Sequence, residues 1–303
     1  MKKQVGYLIL LLTLLSCKNE KQQPKQPENR FTDKLQKLSV NRPNLNISLL
    51  LDLSDRIDPD KYPNPSMEYY ERDLGYINSI VESFEIHLRN KRTITINDHI
   101  QMYLDPEPSD KNLNQKMERL NLSFNKDNAS KRNIIGISQT YDSIVRLIYE
   151  SAIKEKEYIG SDIWRFFKTK VKDFCIEDNH RNILIILTDG YVFHENTKIK
   201  EANQTSYLIP QTIRDYSLNN SNWKARMEQN KFGFINATDG LEKLEILVLG
   251  IHPDSRNPYE EDVINYYWSN WLQRMGVKNF EIKTAHLPAA MDQIIKDFIL
   301  NNS

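Results

Sequence analysis

From residue 47 onward, short apolar runs alternate with longer segments in which apolar residues recur every three or four positions. The runs at 183–187 and 246–249 are wholly apolar, and the run at 47–51 is broken only by Ser48. Continuous runs of this length are typical of strands that are buried on both faces of a parallel sheet. Weaker or alternating patterns predict three more strands, at 100–104, 120–124 and 280–282.

Spacings of three and four between apolar residues indicate amphipathic helices. These helices are predicted over 70–88, 141–152, 160–174, 222–229, 264–275 and 288–299. Gly276 fits the position just after the end of the fifth of them. Strands that alternate with helices predict an α/β fold, doubly wound, with a mostly parallel central sheet and helices on both faces. Open sheets of this kind place their functional sites at the carboxyl ends of the strands.

The amino terminus has a different pattern. Lys2 and Lys3 precede an apolar stretch at 5–15, which is shorter than the roughly 20 apolar residues of a membrane span. Charge, length and position predict a signal peptide over residues 1–16. The stretch ends in Leu14-Leu15-Ser16-Cys17, which resembles the lipobox of bacterial lipoproteins. The resemblance implies cleavage before Cys17 and lipidation of that cysteine; the alternative is an uncleaved signal anchor with an incidental cysteine.

Residues 17–44 are predicted to form the lipidated cysteine and a flexible tether, because the segment is polar and rich in Lys, Gln, Asn and Pro. A short extra helix at 31–38 is the alternative. The α/β domain is then predicted over 45–303. Such a protein would reside in the cell envelope, anchored to a membrane through its lipid and facing the periplasm or the cell surface.

The composition of the chain limits the classes of partner that it is expected to bind. Lysine plus arginine and aspartate plus glutamate both number 41, so the net charge is zero. This balance argues against a general attraction to nucleic acid. Only one cysteine follows Cys17, and Cys175 is predicted to be a small buried apolar residue.

Three short polar motifs occur where predicted strands or helices end. Asp52-Leu53-Ser54-Asp55-Arg56 follows the first strand, Gly160-Ser161-Asp162 lies in the loop between the second and third helices, and Thr188-Asp189-Gly190 follows the fourth strand. Together with the order of elements over residues 45 to 301, they resemble a von Willebrand factor type A (VWA) domain. That family holds a cation with Asp-x-Ser-x-Ser, a Thr from an inter-helix loop and an Asp after the fourth strand; here Ser161 replaces the Thr.

The resemblance implies a metal site formed by Asp52, Ser54, Ser161 and Asp189. Carboxylates and hydroxyls are hard oxygen ligands, which suit Mg²⁺, or Mn²⁺ or Ca²⁺, more than zinc or copper. Each of these motifs alone is also an ordinary turn or helix cap.

Arg56 is the departure from the family pattern, since it stands where the family has a second Ser. A guanidinium has only donors and cannot ligate a cation. Arg56 either turns into solvent or pairs with Asp52 or Asp189 and replaces the metal. Asp55 and Asp162 are the other residues that could modify the site.

The predicted function is recognition of another protein, with an acidic side chain of that protein completing the metal shell, and not catalysis. Aromatic residues near the same loops could anchor the partner; they are Tyr62, Tyr69, Tyr70, Tyr191, Phe193 and Tyr259. One alternative is a metal-free scaffold or assembly lipoprotein with a degenerate site. Another is a metal-dependent phosphohydrolase, for which no base or nucleophile is evident.

Lipidation is testable directly. Because the leader ends in Leu14-Leu15-Ser16-Cys17, cells that express the wild-type chain and are fed labelled palmitate should incorporate the label into it. Cys17→Ala should abolish incorporation, whereas Cys175→Ala should leave it unchanged. Equal labelling of Cys17→Ala and the wild type would contradict the assignment.

Overall fold

The computed structural model describes residues 42–154 and 161–301. Within them, nine strands form: β1 (Asn44–Leu51), β2 (Asn97–Tyr103), β3 (Leu122–Asn125), β4 (His180–Leu187), β5 (Lys200–Glu201), β6 (Gln204–Thr205), β7 (Gly233–Phe234), β8 (Leu244–Ile251) and β9 (Asn279–Thr284). Six of them make the central sheet, in the order β3-β2-β1-β4-β8-β9. All neighbours in this sheet are parallel except β2 and β3. β5, β6 and β7 form a small second sheet.

The described α-helices are α1 (Tyr69–Arg89), α2 (Lys111–Met117), α3 (Lys131–Lys154), α4 (Ile163–Thr169), α5 (Val171–Cys175), α6 (Pro210–Asp215), α7 (Trp223–Asn230), α8 (Glu260–Arg274) and α9 (Pro288–Leu300). Buried side chains of α1, α2, α3 and α9 cover one face of the central sheet. Those of α4, α5 and α8 cover the other face, together with α6 and α7.

Burial on both faces explains the apolar runs in the sequence. Successive side chains of a strand point to opposite faces of a sheet. In β4, Ile183 and Ile185 accordingly pack beneath the α1 layer, whereas Leu184 and Ile186 pack beneath the α8 layer. The run at 183–187 is therefore apolar throughout.

The predicted fold class is confirmed, and a strand occurs at each of the six predicted places. One helix prediction was wrong in part. The segment 160–174 contains two short helices, α4 and α5, separated at Lys170, whose φ of −124° and ψ of −33° do not continue the helix. α2 and the small sheet were not predicted, because their short segments carry too few apolar residues to show a period. Gly276 has φ +96°, as expected of a residue that follows a helix.

The signal peptide predicted at 1–16, Cys17 and nearly all of the tether predicted at 17–44 lie outside the described residues. None of the helices in the described ranges has the length and apolar character needed to cross a membrane.

A buried carboxylate joins three elements at the amino-terminal edge of the sheet. Asp98 accepts hydrogen bonds from the backbone N–H of Leu45 at 2.7 Å, from His87 Nε2 at 2.9 Å and from Lys91 Nζ at 2.7 Å. The side chains of Asp98, His87 and Lys91 are all nearly inaccessible to solvent. The carboxylate therefore holds the start of β1 against β2 and the end of α1.

Replacement of Asp98 should be costly. Asp98→Ala leaves the buried Lys91 ammonium without its counter-ion, a defect that typically costs about 3–5 kcal/mol. We expect a loss of this size in the free energy of unfolding, measured by urea denaturation. Asp127→Ala, at an exposed position, should change it by no more than about 0.5 kcal/mol. Equal stability of the two variants would show that Asp98 does not join these elements.

Candidate functional site

A cleft of about 820 Å³ opens at the carboxyl ends of β1 and β4. All four side chains predicted as ligands line it: Asp52, Ser54, Ser161 and Asp189. They come from three connections that are far apart in sequence: β1–α1, the segment before α4, and the segment after β4. The structure thus brings the predicted residues together.

Asp52 continues the pairing of β1 with β4, because its backbone N–H donates to the carbonyl of Leu187 at 2.8 Å. Its carboxylate is buried and held on both oxygens. The Thr188 hydroxyl donates to Oδ2 at 2.7 Å, and the Ser54 N–H donates to Oδ1 at 3.0 Å. Burial raises the pKa of Asp52 against the effect of these hydrogen bonds.

The Ser161 side chain is held by a backbone contact with the loop after β1. Its Oγ accepts a hydrogen bond from the Leu53 N–H at 2.9 Å, which ties the segment before α4 to the loop after β1. Asp162, the next residue, caps α4 by accepting from the Arg165 N–H at 2.9 Å. Asp162 also lies beside the buried His194, with 3.3 Å between Oδ2 and Nδ1. Asp162 therefore positions Ser161, and it is not among the residues that line the cleft.

Asp189 lies partly exposed on the opposite wall of the cleft. Its Oδ1 accepts from the Tyr191 N–H at 3.0 Å, and Gly190 between them has φ +96°, a conformation that favours glycine. A Cβ at Gly190 would also lie within 2.8 Å of side-chain atoms of Ile264 and Ile251. Burial and the nearby negative charge of Asp52 raise the pKa of Asp189 to about 7.

Arg56 points into the protein, and its partner is neither of the two carboxylates considered from the sequence. Its Nη2 donates to Asp73 Oδ2 at 2.7 Å, and the side chains of both residues are almost fully buried. Tyr149 donates its hydroxyl to the same oxygen at 2.9 Å. Arg56 still contributes positive charge near Asp52 and Asp189, which lowers the pKa of both carboxyls against the effect of burial.

These residues fit a divalent cation. The carboxylates of Asp52, Asp73 and Asp189, when ionised, outnumber the single guanidinium of Arg56 by two charges. Among the described residues, the Ser54 Oγ is buried and has no hydrogen-bond partner. An oxygen cluster with two uncompensated negative charges and an unused hydroxyl is the donor set that Mg²⁺, Mn²⁺ or Ca²⁺ requires. The side chain of Asp55 lies outside the described part of the chain.

The rim of the cleft is aromatic and basic. Of the predicted aromatic residues, Tyr62, Tyr69, Tyr191 and Phe193 line it. Tyr259 is not among the lining residues, and Tyr70, which is partly buried, packs against the core beside Tyr149. Tyr62 is 50% exposed. Arg214 and His252 also line the cleft.

Several of these residues were missed from the sequence. Asp73 did leave a signal, because it lies on the inward stripe of α1 between Tyr70 and Ile77, where an acidic residue needs a buried partner. Thr188 was noted only as part of a motif, although it holds the Asp52 carboxylate. For Arg214 and His252, no local pattern distinguishes them from other loop residues.

Comparisons with known proteins find similarity only among solved structures. No family model matches it, and no curated protein matches it. Among solved structures, it is similar to an aerotolerance-related membrane protein from Bacteroides fragilis NCTC 9343, with 10% identity, a TM-score of 0.35, and coverage of 84% of this chain and 98% of that one. It is also similar to the pilus adhesin SpaC from Lactobacillus rhamnosus GG, with 10% identity, a TM-score of 0.38, and coverage of 86% of this chain but only 30% of the adhesin. Likeness at this level says nothing about function.

The pairing of Arg56 with Asp73 can be measured by a double-mutant cycle. Arg56→Met and Asp73→Leu each leave a buried charge without its partner, so each should cost about 3–5 kcal/mol of unfolding free energy. The double variant should cost clearly less than the sum of the two, because neither charge remains. Urea denaturation of the full-length protein gives the three values.

Lys61→Met serves as the control, since Lys61 is 54% exposed and lies 3.9 Å from Asp58. It should cost no more than about 1 kcal/mol. Additive effects of Arg56→Met and Asp73→Leu would show that the two side chains do not interact.

Proposed function

We propose that this chain is an exported, lipid-anchored lipoprotein with a VWA-type domain that binds another protein through a divalent cation. The observation that carries the proposal is the convergence of Asp52, Ser54, Ser161 and Asp189 in one cleft. These residues match the family's motif at all but two positions, Ser161 for Thr and Arg56 for Ser. Strand order supports the family as well, since β1 and β4 lie at the centre of the sheet and β3 is antiparallel at its edge.

The sequence position of Arg56 suggests that it competes with the cation, but its contacts in the structure do not support such competition. Competition with a metal requires a guanidinium that is free to neutralise Asp52 or Asp189. Here the guanidinium is hydrogen-bonded to Asp73, a third carboxylate supplied by α1. One guanidinium faces three carboxylates, so negative charge remains for a ligand when Asp52 and Asp189 are ionised. Asp73 thus offsets the departure from the family pattern.

A cation in this cleft would supply a positive charge for an oxygen ligand of the partner. An acidic side chain is the partner chemistry that fits, because Asp52 and Asp189 alone repel a carboxylate and the cation reverses that sign. Tyr62 and Tyr191 flank the position and provide apolar area with a polar end, as binding sites for proteins commonly do. Arg214 adds positive charge at the rim.

We propose that the cleft binds a partner protein rather than catalysing a reaction. Within the described residues, no cysteine or lysine lines the cleft, and the Ser161 Oγ accepts a hydrogen bond from the Leu53 N–H. The metal-free scaffold remains the second candidate, because Arg56 occupies the place of a ligand. Location in the cell envelope follows from the lipid anchor that the leader sequence predicts.

Titration calorimetry with MgCl₂ and MnCl₂ on the full-length protein tests the cation. We expect one site in the wild type and at least about tenfold weaker binding in Asp189→Asn, equivalent to about 1.4 kcal/mol, because a charged ligand becomes neutral. Asp239→Asn, at a carboxylate that is 87% exposed, should bind like the wild type. Failure of the wild type to bind either cation would leave the scaffold as the function.

The partner chemistry needs a separate measurement. A peptide array with matched Asp/Asn and Glu/Gln pairs should show capture of the acidic members in Mg²⁺ and loss of capture in EDTA. Capture that is independent of the cation would contradict the proposed mode of binding. Release of phosphate from a phosphomonoester, dependent on both Mg²⁺ and Asp189, would instead identify an enzyme.

A further inference from the structure

A second group of metal-ligating side chains lies at the opposite end of the sheet, away from the cleft. His99 belongs to β2, His180 is the first residue of β4, and Glu177 lies in the connection from α5 to β4. The register places His99 beside Asn46 of β1 and His180 beside Asn44 of β1. The two imidazoles therefore approach each other across the start of β1, and the connection that carries Glu177 passes over both.

The donor atoms are already close together. One ligand atom from each of the three residues lies within 4.8 Å of the others. Glu177 Oε2 lies 3.1 Å from His99 Nδ1, and Glu177 Oε1 lies 3.7 Å from His180 Nδ1. Around a tetrahedral zinc ion with bonds of about 2.0–2.1 Å, neighbouring donors are separated by about 3.3 Å. Small side-chain rotations would bring these three atoms to that spacing.

The surroundings of His180 favour a ligand at Nδ1. Its Nε2 lies 3.0 Å from the carbonyl oxygen of Asn97, and its Nδ1 lies 3.0 Å from the carbonyl oxygen of Asp178. A neutral imidazole has a single N–H and can donate to only one of them. When Nε2 donates to Asn97, the Nδ1 lone pair faces the Asp178 carbonyl oxygen and the Glu177 carboxylate. These groups repel one another, and a cation between them would remove the repulsion.

The alternative tautomer is the metal-free form. There Nδ1 donates to Asp178, and Nε2 accepts from the side-chain amide of Asn97, 3.3 Å away. The choice between the tautomers thus depends on whether a cation occupies the space between the three residues. In metal sites, the ligating histidine generally donates its other N–H to a carbonyl, which is the contact that Asn97 offers here.

We propose that His99, Glu177 and His180 form a zinc-binding site at the amino-terminal edge of the sheet, with water completing the coordination. Two imidazoles and one carboxylate suit zinc, whereas Mg²⁺ prefers a shell of oxygens. The Glu177 side chain is 41% exposed, so an ion can enter from solvent. Bound zinc would hold the segment that connects α5 to β4 against the strand β2. The proposal does not depend on the function of the cleft.

Titration calorimetry of the full-length protein with ZnCl₂ tests the site. With excess MgCl₂ present to occupy the cleft, we expect one zinc per chain and at least tenfold weaker zinc binding in Glu177→Gln and in His99→Gln. Binding should stay within twofold of the wild type in His286→Gln, an exposed histidine elsewhere. Glu177→Gln and His99→Gln alter partly exposed side chains, and unchanged urea midpoints in the absence of metal would establish that both variants fold.

X-ray absorption on the zinc-loaded wild type gives an independent measurement. The proposed site requires two imidazole nitrogens at about 2.0–2.1 Å. Three results would overturn it: no zinc binding by the wild type, equal affinity in Glu177→Gln and His99→Gln, or a coordination shell without imidazole. The first of these would leave the three residues as a polar cluster without a metal.

Discussion

The parallel pairing of β1 with β4 sets Leu51 directly beside Leu187. Both strands then end at the same level, and the hydrogen bond from the Asp52 N–H to the Leu187 carbonyl extends the pairing by one residue. Asp52, Thr188 and Asp189 are therefore brought together by backbone register before any side-chain interaction is formed. A shift of one residue would turn the side chains to the other face of the sheet. The cleft thus depends on the apolar runs that fix this register.

Once the carboxylates are placed, their charges must be balanced. Asp52 and Asp189 lie close together, and burial and the charge of Asp52 raise the pKa of Asp189 to about 7. Arg56 cannot offset both, because Asp73 holds its guanidinium at 2.7 Å. What remains is an oxygen-rich cleft with surplus negative charge and a buried Ser54 hydroxyl that lacks a partner among the described residues. This imbalance is the physical basis for a cation in the proposed function.

The two ends of the sheet differ in their donor chemistry. At the carboxyl ends of the strands, the four predicted ligands are carboxylates and hydroxyls. At the amino-terminal edge, the cluster of His99, Glu177 and His180 contributes imidazole nitrogen. Hard and borderline cations prefer these two donor sets differently. Both donor sets belong to the same parallel sheet, because its strands begin at one edge and end at the other.

The sequence by itself determined the fold class and the position of each central strand, because burial on both faces leaves a continuous apolar run that can be read locally. It also indicated Asp52, Ser54 and Asp189, because they follow runs that end at one edge of a parallel sheet, whereas Ser161 was indicated by its resemblance to the VWA motif. Only the tertiary structure decided the partner of Arg56, because Asp73 lies on α1 and approaches through helix packing. The proximity of His99 and His180 was likewise hidden, since they lie on strands separated by β1 and 81 positions apart in the chain. Local patterns record burial, whereas contacts between distant side chains depend on register and packing, which no single segment specifies.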